Sequence, residues 1–402
     1  MRINILFLSL LDFNSLEEHN IYTDLLRIFR KNGDSLYIVS PVERRKKQST
    51  RLIKSENTSI LKLRCGNIQK TNLIEKGIST LTVEQIVKNG IKKYFFDVKF
   101  DLVLYTTPPI TFAGVISYIK KRDGAKSYLL LKDIFPQNAV DIGMMSKSGP
   151  KGLLYRYFRR KEKKLYALSD FIGCMSQANV DFVLRHNPEL SPEKVHVSPN
   201  SMELRSFEAG EREAIREKYG IPQSVTAFIY GGNLGKPQGI SHLVACLRAM
   251  KDRKDVFFAV CGTGTHFSLL KEFAEQEQPA NLLLLNGLPK EEYEAFVKAF
   301  DVGLIFLDHR FTIPNFPSRL LSYMQAKMPV IACTDPNTDI GRVIEAGGFG
   351  WWCESNDPAR FTACVDKALA APLAELGEKG YEYLKENYTV EQSYRIIMER
   401  LS

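Results

Sequence analysis

The sequence predicts an α/β protein with two doubly wound, Rossmann-like parallel sheets, one in each half of the chain. Apolar runs of strand length alternate with segments of helical periodicity from end to end. The 402 residues exceed one typical domain, and a hydrophobic content of 44% suffices for two cores. Ligands of such sheets bind beyond the carboxyl ends of the strands, so we expect the domains to face each other across a cleft that holds the site.

In the first half, residues 1–202, alternating periodicity predicts the elements of one domain. The predicted strands are Ile3–Leu10, Ser35–Val39, Ser59–Leu63, Asp101–Tyr105, Ser127–Leu131, Phe171–Met175 and Lys194–Val197. The predicted helices are Ile21–Lys31, Leu81–Phe96, Ile110–Lys121 and Leu153–Leu168. The basic segment 43–57 is predicted as a loop, and Pro199–Glu203 as the exit from the domain.

The second domain, residues 203–387, begins with a polar linker at 207–219 and repeats the pattern. The predicted strands are Val225–Tyr230, Val256–Val260, Asn281–Leu285, Val302–Phe306 and Pro329–Ala332. The predicted helices are Ile240–Met250, Phe267–Glu277, Lys290–Ala299 and Ser318–Ala326.

Two apolar segments could be mistaken for targeting or membrane signals. Ile3–Leu11 lacks a preceding basic run and a cleavage site, so a first strand is the better interpretation. The uncharged stretch Leu102–Ile119 is interrupted by Pro108 and Pro109, which favours strand, turn and helix over a membrane span. Seven cysteines without paired spacing predict reduced thiols and a cytoplasmic location.

Charge is distributed unevenly between the two halves. Residues 1–200 hold 33 Lys+Arg and 19 Asp+Glu, whereas residues 201–402 hold 22 and 27. The basic half predicts an anionic partner: a phosphorylated acceptor, an acidic membrane surface at the inner face of the plasma membrane, or nucleic acid. Nucleic acid is disfavoured because the basic runs lack interleaved aromatic residues. For any single cluster, a solvated face without a partner remains the alternative.

Three loops of the second domain suit an anionic, nucleotide-like ligand. The first is Gly231–Lys236, whose glycines allow close approach of phosphate to the backbone and whose lysine adds charge. The second is Gly262–Gly264. In the third, Ser318 is predicted to cap a helix whose first turn, with Arg319, offers an anion site. The alternative is that all three are ordinary tight turns.

We expect no metal and no cofactor. The chain contains no Asp-x-Asp, which disfavours a metal held by paired aspartates. Charge that develops on a departing diphosphate would then be met by Lys236, Arg319 and backbone N–H groups. In the first domain, Asp133 follows an apolar strand and is a candidate to orient or deprotonate an acceptor hydroxyl, although a turn cap is an equal alternative. Glu18 and His19, after the first strand, are further candidates for acceptor contacts.

Several motifs together resemble the retaining glycosyltransferases of the GT-B fold, family four, in particular bacterial capsule and O-antigen sugar transferases. The likeness runs nearly end to end. The more specific motifs are Tyr230–Lys236 and the segment from Pro317 through Ala332, and the supporting ones are Asp101–Pro109, Asp133–Pro136 and Ser198–Asn200.

The resemblance implies a transferase that takes a sugar from a nucleoside-diphosphate donor, with UDP preferred over GDP. It implies diphosphate above Gly232 and Gly235, paired with Lys236 and Arg319. The remaining donor positions that it implies are Asn233, Gly262, Thr263, Gly264, Leu288, Ser318, Leu320 and Ser322. It also implies a lipid-diphosphate-linked saccharide acceptor and a last helix, residues 388–402, that packs back on the first domain.

The chain departs from the family pattern at four positions. Ser322 stands where the family usually has a glutamate for the ribose hydroxyls, and Pro314 where a second glutamate is common. Asn233 replaces the arginine of the glycine-loop basic pair, whose lysine falls near Gln238. Two alternatives therefore stay open: a non-catalytic nucleotide-sugar-binding protein, and a nucleotide-sugar epimerase of the same fold.

Overall fold

The computed structural model describes residues 2–12, 14–67, 73–205 and 212–401. The chain divides into two compact units, Met1–Glu203 with Val390–Ser402, and Leu204–Thr389. The sequence places this boundary one residue earlier. Each unit has its own sheet and its own buried core.

The first unit contains a sheet of eight described strands in the order β3-β4-β2-β1-β5-β6-β7-β8. The strands are β1 Asn4–Leu8, β2 Ser35–Glu43, β3 Arg51–Ser55, β4 Thr58–Cys65, β5 Leu102–Thr106, β6 Lys126–Leu131, β7 Phe171–Cys174 and β8 Val195–Val197. The helices are α1 Ile21–Lys31, α2 Leu73–Tyr94, α3 Ala113–Asp123, α4 Gln137–Asp141, α5 Gly149–Leu168 and α6 Gln177–His186. Short 3₁₀ turns occur at Arg44–Lys46 and Pro192–Lys194. The alternating apolar strands form the centre of the core.

The predicted basic loop 43–57 is wrong. Part of it forms β3, an edge strand that pairs antiparallel with β4 through the register Ser55↔Thr58. Leu52 and Ile53 are half-buried against the sheet, while Lys54 is exposed. A five-residue strand rich in charge gives almost no periodic signal, yet charged residues are what keeps an edge strand from pairing further.

Helix α1 begins where its sequence signal predicts. The Asn20 side-chain oxygen accepts hydrogen bonds from the N–H groups of Tyr22 (2.9 Å) and Thr23 (3.1 Å). The Thr23 hydroxyl accepts the N–H of Asn20 in return (3.0 Å). Such a cap typically contributes about 1 kcal/mol and fixes the first residue of the helix.

The second unit contains a fully parallel sheet of six described strands in the order β11-β10-β9-β12-β13-β14. The strands are β9 Thr226–Asn233, β10 Val256–Thr263, β11 Leu282–Leu285, β12 Val302–Phe306, β13 Val330–Thr334 and β14 Gly350–Glu354. The helices are α7 Arg212–Tyr219, α8 Ile240–Met250, α9 Phe267–Glu277, α10 Lys290–Val297, α11 Arg319–Gln325, α12 Ile340–Ala346, α13 Pro358–Leu369 and α14 Leu373–Asn387. A 3₁₀ turn lies at Lys236–Gln238.

The predicted linker 207–219 is corrected in its second half by α7, while residues 206–211 lie outside the described residues. Arg216 on α7 is 1% exposed and donates to Asp301 Oδ2 (2.7 Å) and to Ala299 O (2.8 Å). The polar residues that suggested a linker therefore form a helix, and its buried Arg216 is paired with Asp301.

The last helix, α15 (Val390–Glu399), packs on the first unit. Val390 and Ile397 join the core of that unit, and the Tyr394 ring meets Phe29 edge to face at 4.8 Å. All seven cysteines are free and buried. Among the described helices, none is long and apolar enough to cross a membrane.

Candidate functional site

Four adjacent parallel strands of the second sheet end at one edge, and the loops after them form the candidate site. β9 and β10 pair as far as Asn233 and Thr263. The N–H of Leu234 then donates to Thr263 O (2.9 Å), so the two glycine-rich loops are joined by backbone. β11 and β12 flank this pair on either side. The edge is where parallel sheets bind ligands.

At two positions of the first glycine loop, Gly231 and Gly232, a side chain would come close to neighbouring atoms. A Cβ on Gly231 would lie 1.7 Å from Tyr293 Oη. Gly232 has φ of +124°, and a Cβ there would lie 3.0 Å from Arg319 Nη2. The backbone at Gly232 is exposed, so a ligand can approach main chain and guanidinium together.

Arg319 is the most informative side chain at this edge. Its guanidinium lies over the ring of Tyr230, with its carbon 4.3 Å from the ring centroid. Nη1 is buried and has no hydrogen-bond partner among the described residues. No carboxylate of the described residues forms an ion pair with it. A half-buried cation with an unused donor is costly unless an anion completes it.

Lys236 and Asn233 occupy different environments within the same loop. Asn233 Nδ2 donates to Gln238 Oε1 (2.9 Å), which also accepts the N–H of Gly235 (3.2 Å). Asn233 and Gln238 lie at or near the positions where the family that this chain resembles has Arg and Lys. Their neutral side chains bond to each other and hold the loop in place. Lys236 is half-buried, and its ammonium has no partner in the described part of the chain. It is the second cation available to an anion here.

The second glycine loop is explained mainly by packing. A Cβ on Gly262 would lie 1.9 Å from Gly232 O, and one on Gly264 would lie 2.4 Å from Leu234 backbone. These glycines therefore let two loops touch, which is the tight-turn interpretation. Thr263 is exposed at the rim, and Leu288 is half-buried in the loop after β11. A Cβ on Gly287, next to Leu288, would lie 3.0 Å from Thr263 Cγ2.

The predicted cap at Ser318 is wrong. Its side chain makes no capping hydrogen bond, and its backbone already has helical angles (φ −64°, ψ −16°). The N–H of Leu320 donates to Pro317 O (3.2 Å), and its side chain is fully buried. Because local carbonyls use that N–H, the helix start adds less to an anion site than the Arg319 side chain does. Ser322 is exposed on α11.

Tyr230, Tyr293 and Tyr323 complete the surroundings of Arg319, and no pattern in the sequence predicts that they converge. The Gly231 N–H donates to Tyr323 Oη (3.2 Å), which donates to Ile229 O (3.1 Å). Burial raises the pKa of Tyr323 to about 12 and also raises that of Tyr293. Both hydroxyls therefore stay protonated and neutral beside the guanidinium. Tyr293 lies on α10, about 60 residues from Gly231 in sequence, so only the fold brings them together.

Asp133, the candidate of the first unit, follows β6 and is held by its neighbours. Asn138 Nδ2 donates to both of its carboxylate oxygens (2.7 Å each). Thr107 Oγ1 donates to its backbone oxygen (3.1 Å). Burial raises the pKa of this carboxyl to about 6. A carboxylate poised near neutral pH fits the predicted role toward a hydroxyl, while its bonds to Asn138 fit the turn-cap alternative equally.

Lys132, which sequence reasoning passed over, is half-buried beside Asp133. Its only described hydrogen bond is a long one, from Nζ to Ser198 O (3.5 Å). Burial lowers the pKa of this ammonium to about 7. The signal in the sequence was a lysine at the end of an apolar strand.

The candidates after β1 are tied into an ion network. Glu18 is exposed and accepts the N–H of Asn14 (2.7 Å). His19 Nδ1 lies 2.8 Å from Arg27 Nη2, and the same guanidinium bonds Asp24 and Glu203. His19, Asp24 and Glu203 have the proximity of metal ligands. Arg27 already supplies the positive charge there, so the group is a structural ion cluster.

Residues 211–387 match the family of glycosyl transferases group 1. The chain is 26% identical to WbjE of Pseudomonas aeruginosa, described as a "probable glycosyltransferase", over 80% of this chain and 78% of the relative. It is 21% identical to WcaI of Escherichia coli (strain K12), assigned to colanic acid biosynthesis as a glycosyl transferase, over 68% and 67%.

Solved structures agree on the fold. Sucrose-phosphate synthase of Thermosynechococcus elongatus superposes with a TM-score of 0.76 at 14% identity, over 99% of this chain and 98% of that one. HepE of Anabaena, in complex with UDP and glucose, gives 0.69 at 13% identity, over 100% and 99%. Family match, relatives and fold agree that the chain is a glycosyltransferase with the GT-B fold, and its residues 211–387 match the model of glycosyl transferases group 1.

Proposed function

We propose that this glycosyltransferase is a retaining, metal-independent enzyme of bacterial surface polysaccharide synthesis. It moves a sugar from a nucleoside-diphosphate donor, UDP in preference to GDP, to a saccharide carried on a lipid diphosphate. It acts at the inner face of the plasma membrane. The description of WcaI as a "putative colanic acid biosynthesis glycosyl transferase" supports a role in polysaccharide synthesis, and the UDP bound to HepE supports UDP as the donor nucleotide.

The observation that carries the proposal is the unused donor of Arg319. Its Nη1 is buried with no hydrogen-bond partner among the residues that the structure describes, next to a glycine whose backbone is exposed. A diphosphate at this place would accept from the guanidinium and lie against Gly232, with Lys236 as second cation. Charge-assisted bonds of this kind are roughly twice as strong as neutral ones.

In the reaction, the bond between the sugar C1 and the diphosphate oxygen breaks, and the acceptor oxygen bonds to the same face of C1. The electron pair of the broken bond stays on the diphosphate. Arg319 and Lys236 stabilise this growing negative charge. In an enzyme with paired aspartates, a metal ion held by them would do so. Asp133 orients the acceptor hydroxyl or takes its proton, as its pKa of about 6 permits.

The departures from the family pattern favour one second candidate, a protein that binds a nucleotide-sugar without transferring it. Ser322 is exposed and too short to replace a glutamate at the ribose, and Asn233 is engaged with Gln238. Binding without product formation, for any acceptor offered, would support this candidate.

The first experiment is a thermal-shift series with UDP, GDP, ADP, CDP and TDP in EDTA. We expect UDP to raise the melting temperature of the wild type, because ligand that binds only the folded state stabilises it. Arg319→Ala should abolish the shift, while Arg342→Ala, an exposed arginine of the same unit, should keep it. Flat curves for all five nucleotides would contradict the proposed donor site.

The stereochemistry is tested separately with an accepted donor. Proton NMR of the product should show the anomeric configuration of the donor, and an inverted product would refute retention.

A further inference from the structure

Helix α5 carries apolar side chains on its outward face. Leu153 is 65% exposed and Leu154 is 50% exposed, with Tyr157 one turn further. Met144, in the segment before the helix, is 64% exposed. Large exposed apolar side chains grouped within one turn of a helix are unusual for a face that only meets water.

These residues do not belong to the core face of the helix. The inward side of α5 is formed by Glu162, Leu165 and Tyr166, each at most 3% exposed. Leu153 and Tyr157 lie one turn apart on the side turned away from Glu162 and Tyr166, and Leu154 lies at the margin of that side. Half or more of the surface of Leu153 and of Leu154 is therefore left in contact with solvent.

Cations lie along the same side of the helix. Arg156, Arg160 and Lys164 are exposed, and none of the described residues forms an ion pair with them. In contrast, Arg159 pairs with Glu162 and Lys163 with Glu189. Between residues 142 and 161 the chain has no Asp or Glu at all. The exposed cations without an ion-pair partner among the described residues therefore lie on the side of α5 that also carries Leu153 and Tyr157.

We propose that this surface, formed by Leu153, Leu154, Tyr157, Arg156, Arg160 and Lys164 and here called the α5 patch, docks on an anionic lipid bilayer. Apolar side chains enter the boundary between headgroups and acyl chains, and the cations meet anionic headgroups. This combination favours a lipid surface over nucleic acid, because nucleic acid has no apolar phase in which leucine side chains could be buried. An acidic protein surface would account for the cations but not for the exposed leucines.

The helix that carries the α5 patch contacts, with its inward side, the segment of the candidate acceptor carboxylate within the first unit. The Phe135 ring, two residues after Asp133, meets the Phe158 ring of α5 edge to face at 5.0 Å. The buried Glu162 of α5 raises the pKa of Asp133, after the larger effect of burial. A bilayer on the α5 patch would thus keep a lipid-borne saccharide near Asp133. This link to the acceptor rests on the proposed function, whereas the docking itself does not.

The test is co-sedimentation of the full chain with vesicles of phosphatidylglycerol and phosphatidylethanolamine, compared with vesicles of phosphatidylcholine alone. We expect binding to the anionic vesicles that weakens with salt. The triple change Arg156→Gln, Arg160→Gln and Lys164→Gln should lower partitioning about 100-fold, at about fivefold per cation. The double change Leu153→Ser and Leu154→Ser should lower it at least ~10-fold, through lost apolar contact.

Two controls match these variants. Phe96→Ser removes a side chain that is 72% exposed but lies outside the α5 patch, and Lys54→Gln removes an exposed cation of the edge strand β3. Both should bind vesicles as the wild type does. Equal loss in the controls, or no binding by the wild type, would overturn the proposal.

Two further readouts separate the alternatives. Size-exclusion chromatography without lipid should give one elution volume for wild type and patch variants, and a shift in the Leu variant would assign the surface to a second copy instead. The nucleotide thermal shift should be unchanged in every patch variant. Loss of vesicle binding with an intact shift refutes neither donor site nor transfer, so the two proposals fail independently.

Discussion

Two arginines of the second unit, Arg216 and Arg319, are both withdrawn from solvent but have opposite surroundings. Arg216 donates to Asp301 and to the carbonyl oxygens of Ala299, Pro222, Gln223 and Val225. Arg319 lies over an aromatic ring, with a buried Nη1 that no described residue satisfies. A saturated guanidinium holds the fold together, whereas an unsaturated one at a sheet edge is ready for an anion. The difference between the two arginines is the number of partners that the fold supplies to each guanidinium.

The largest effect is expected on stability at Arg216. Arg216→Ala leaves four carbonyl oxygens without their donor and Asp301 with Arg212 as its remaining arginine, and should lower the free energy of unfolding by about 3 kcal/mol. Urea unfolding of wild type and variant measures this. At low temperature the folded variant should still bind nucleotide, and a variant with normal stability would contradict the structural role.

The converse is expected at Arg319. Arg319→Ala should lower kcat about 10²–10³-fold, since it removes a donor to the leaving diphosphate. Its free energy of unfolding should change by less than about 1 kcal/mol, because no partner is left unpaired. Lys236→Ala should also lower turnover, by about 10²-fold if it is a main donor. Steady-state kinetics with unaltered rates in both variants would remove these residues from the mechanism.

A smaller effect is expected from pH at Asp133. The pKa of this carboxyl is raised to about 6 by burial, so its ionised form is lost as pH falls through that value. If the carboxylate form is required, kcat/KM should fall about tenfold per pH unit below about pH 6. The profile of Asp133→Asn should lack this limb. An identical acid limb in the variant would assign it to another group, Glu162 or Lys132 being the neighbours to test.

The smallest effect is expected from restoring a family residue. Ser322→Glu places a carboxylate where the resembling enzymes hold the ribose. It should raise the affinity for the donor about tenfold, close to the lower limit for one hydrogen bond to a charged group. Affinity for UDP and for its 2′-deoxy and 3′-deoxy analogues would be measured by calorimetry. An equal gain for all three would show general electrostatics and no ribose contact.

Much of the architecture could be predicted from periodicity. The bounds of α1, α8, α9 and β12 agree with the predicted segments residue for residue. Each is a long or strongly apolar run with a clear end. β3 and α7 were missed because their residues are mostly polar, and their stability comes from contacts with other segments: β4 for the strand and Asp301 for the helix.

The candidate site could be predicted only in part. The glycine loop, Lys236, Asp133 and Arg319 were identified as candidates because residue type and position after a strand are local properties. The cap at Ser318 was wrong because a cap depends on backbone angles that the sequence does not reveal. The packing role of Gly262 was foreseen only as an alternative, since the contact that requires it comes from another loop.

The sequence by itself determined the two α/β units, the strand ends at which ligands would bind and the uneven distribution of charge. These follow from hydrophobic periodicity and composition, which are properties of short segments. The tertiary structure alone decided which charges are satisfied. Asp301 reaches Arg216 across 85 residues, while no acid in the described part of the chain pairs with Arg319, and the leucines of α5 stay outside the core. Satisfaction of a buried charge depends on neighbours in space, and only folding brings those together.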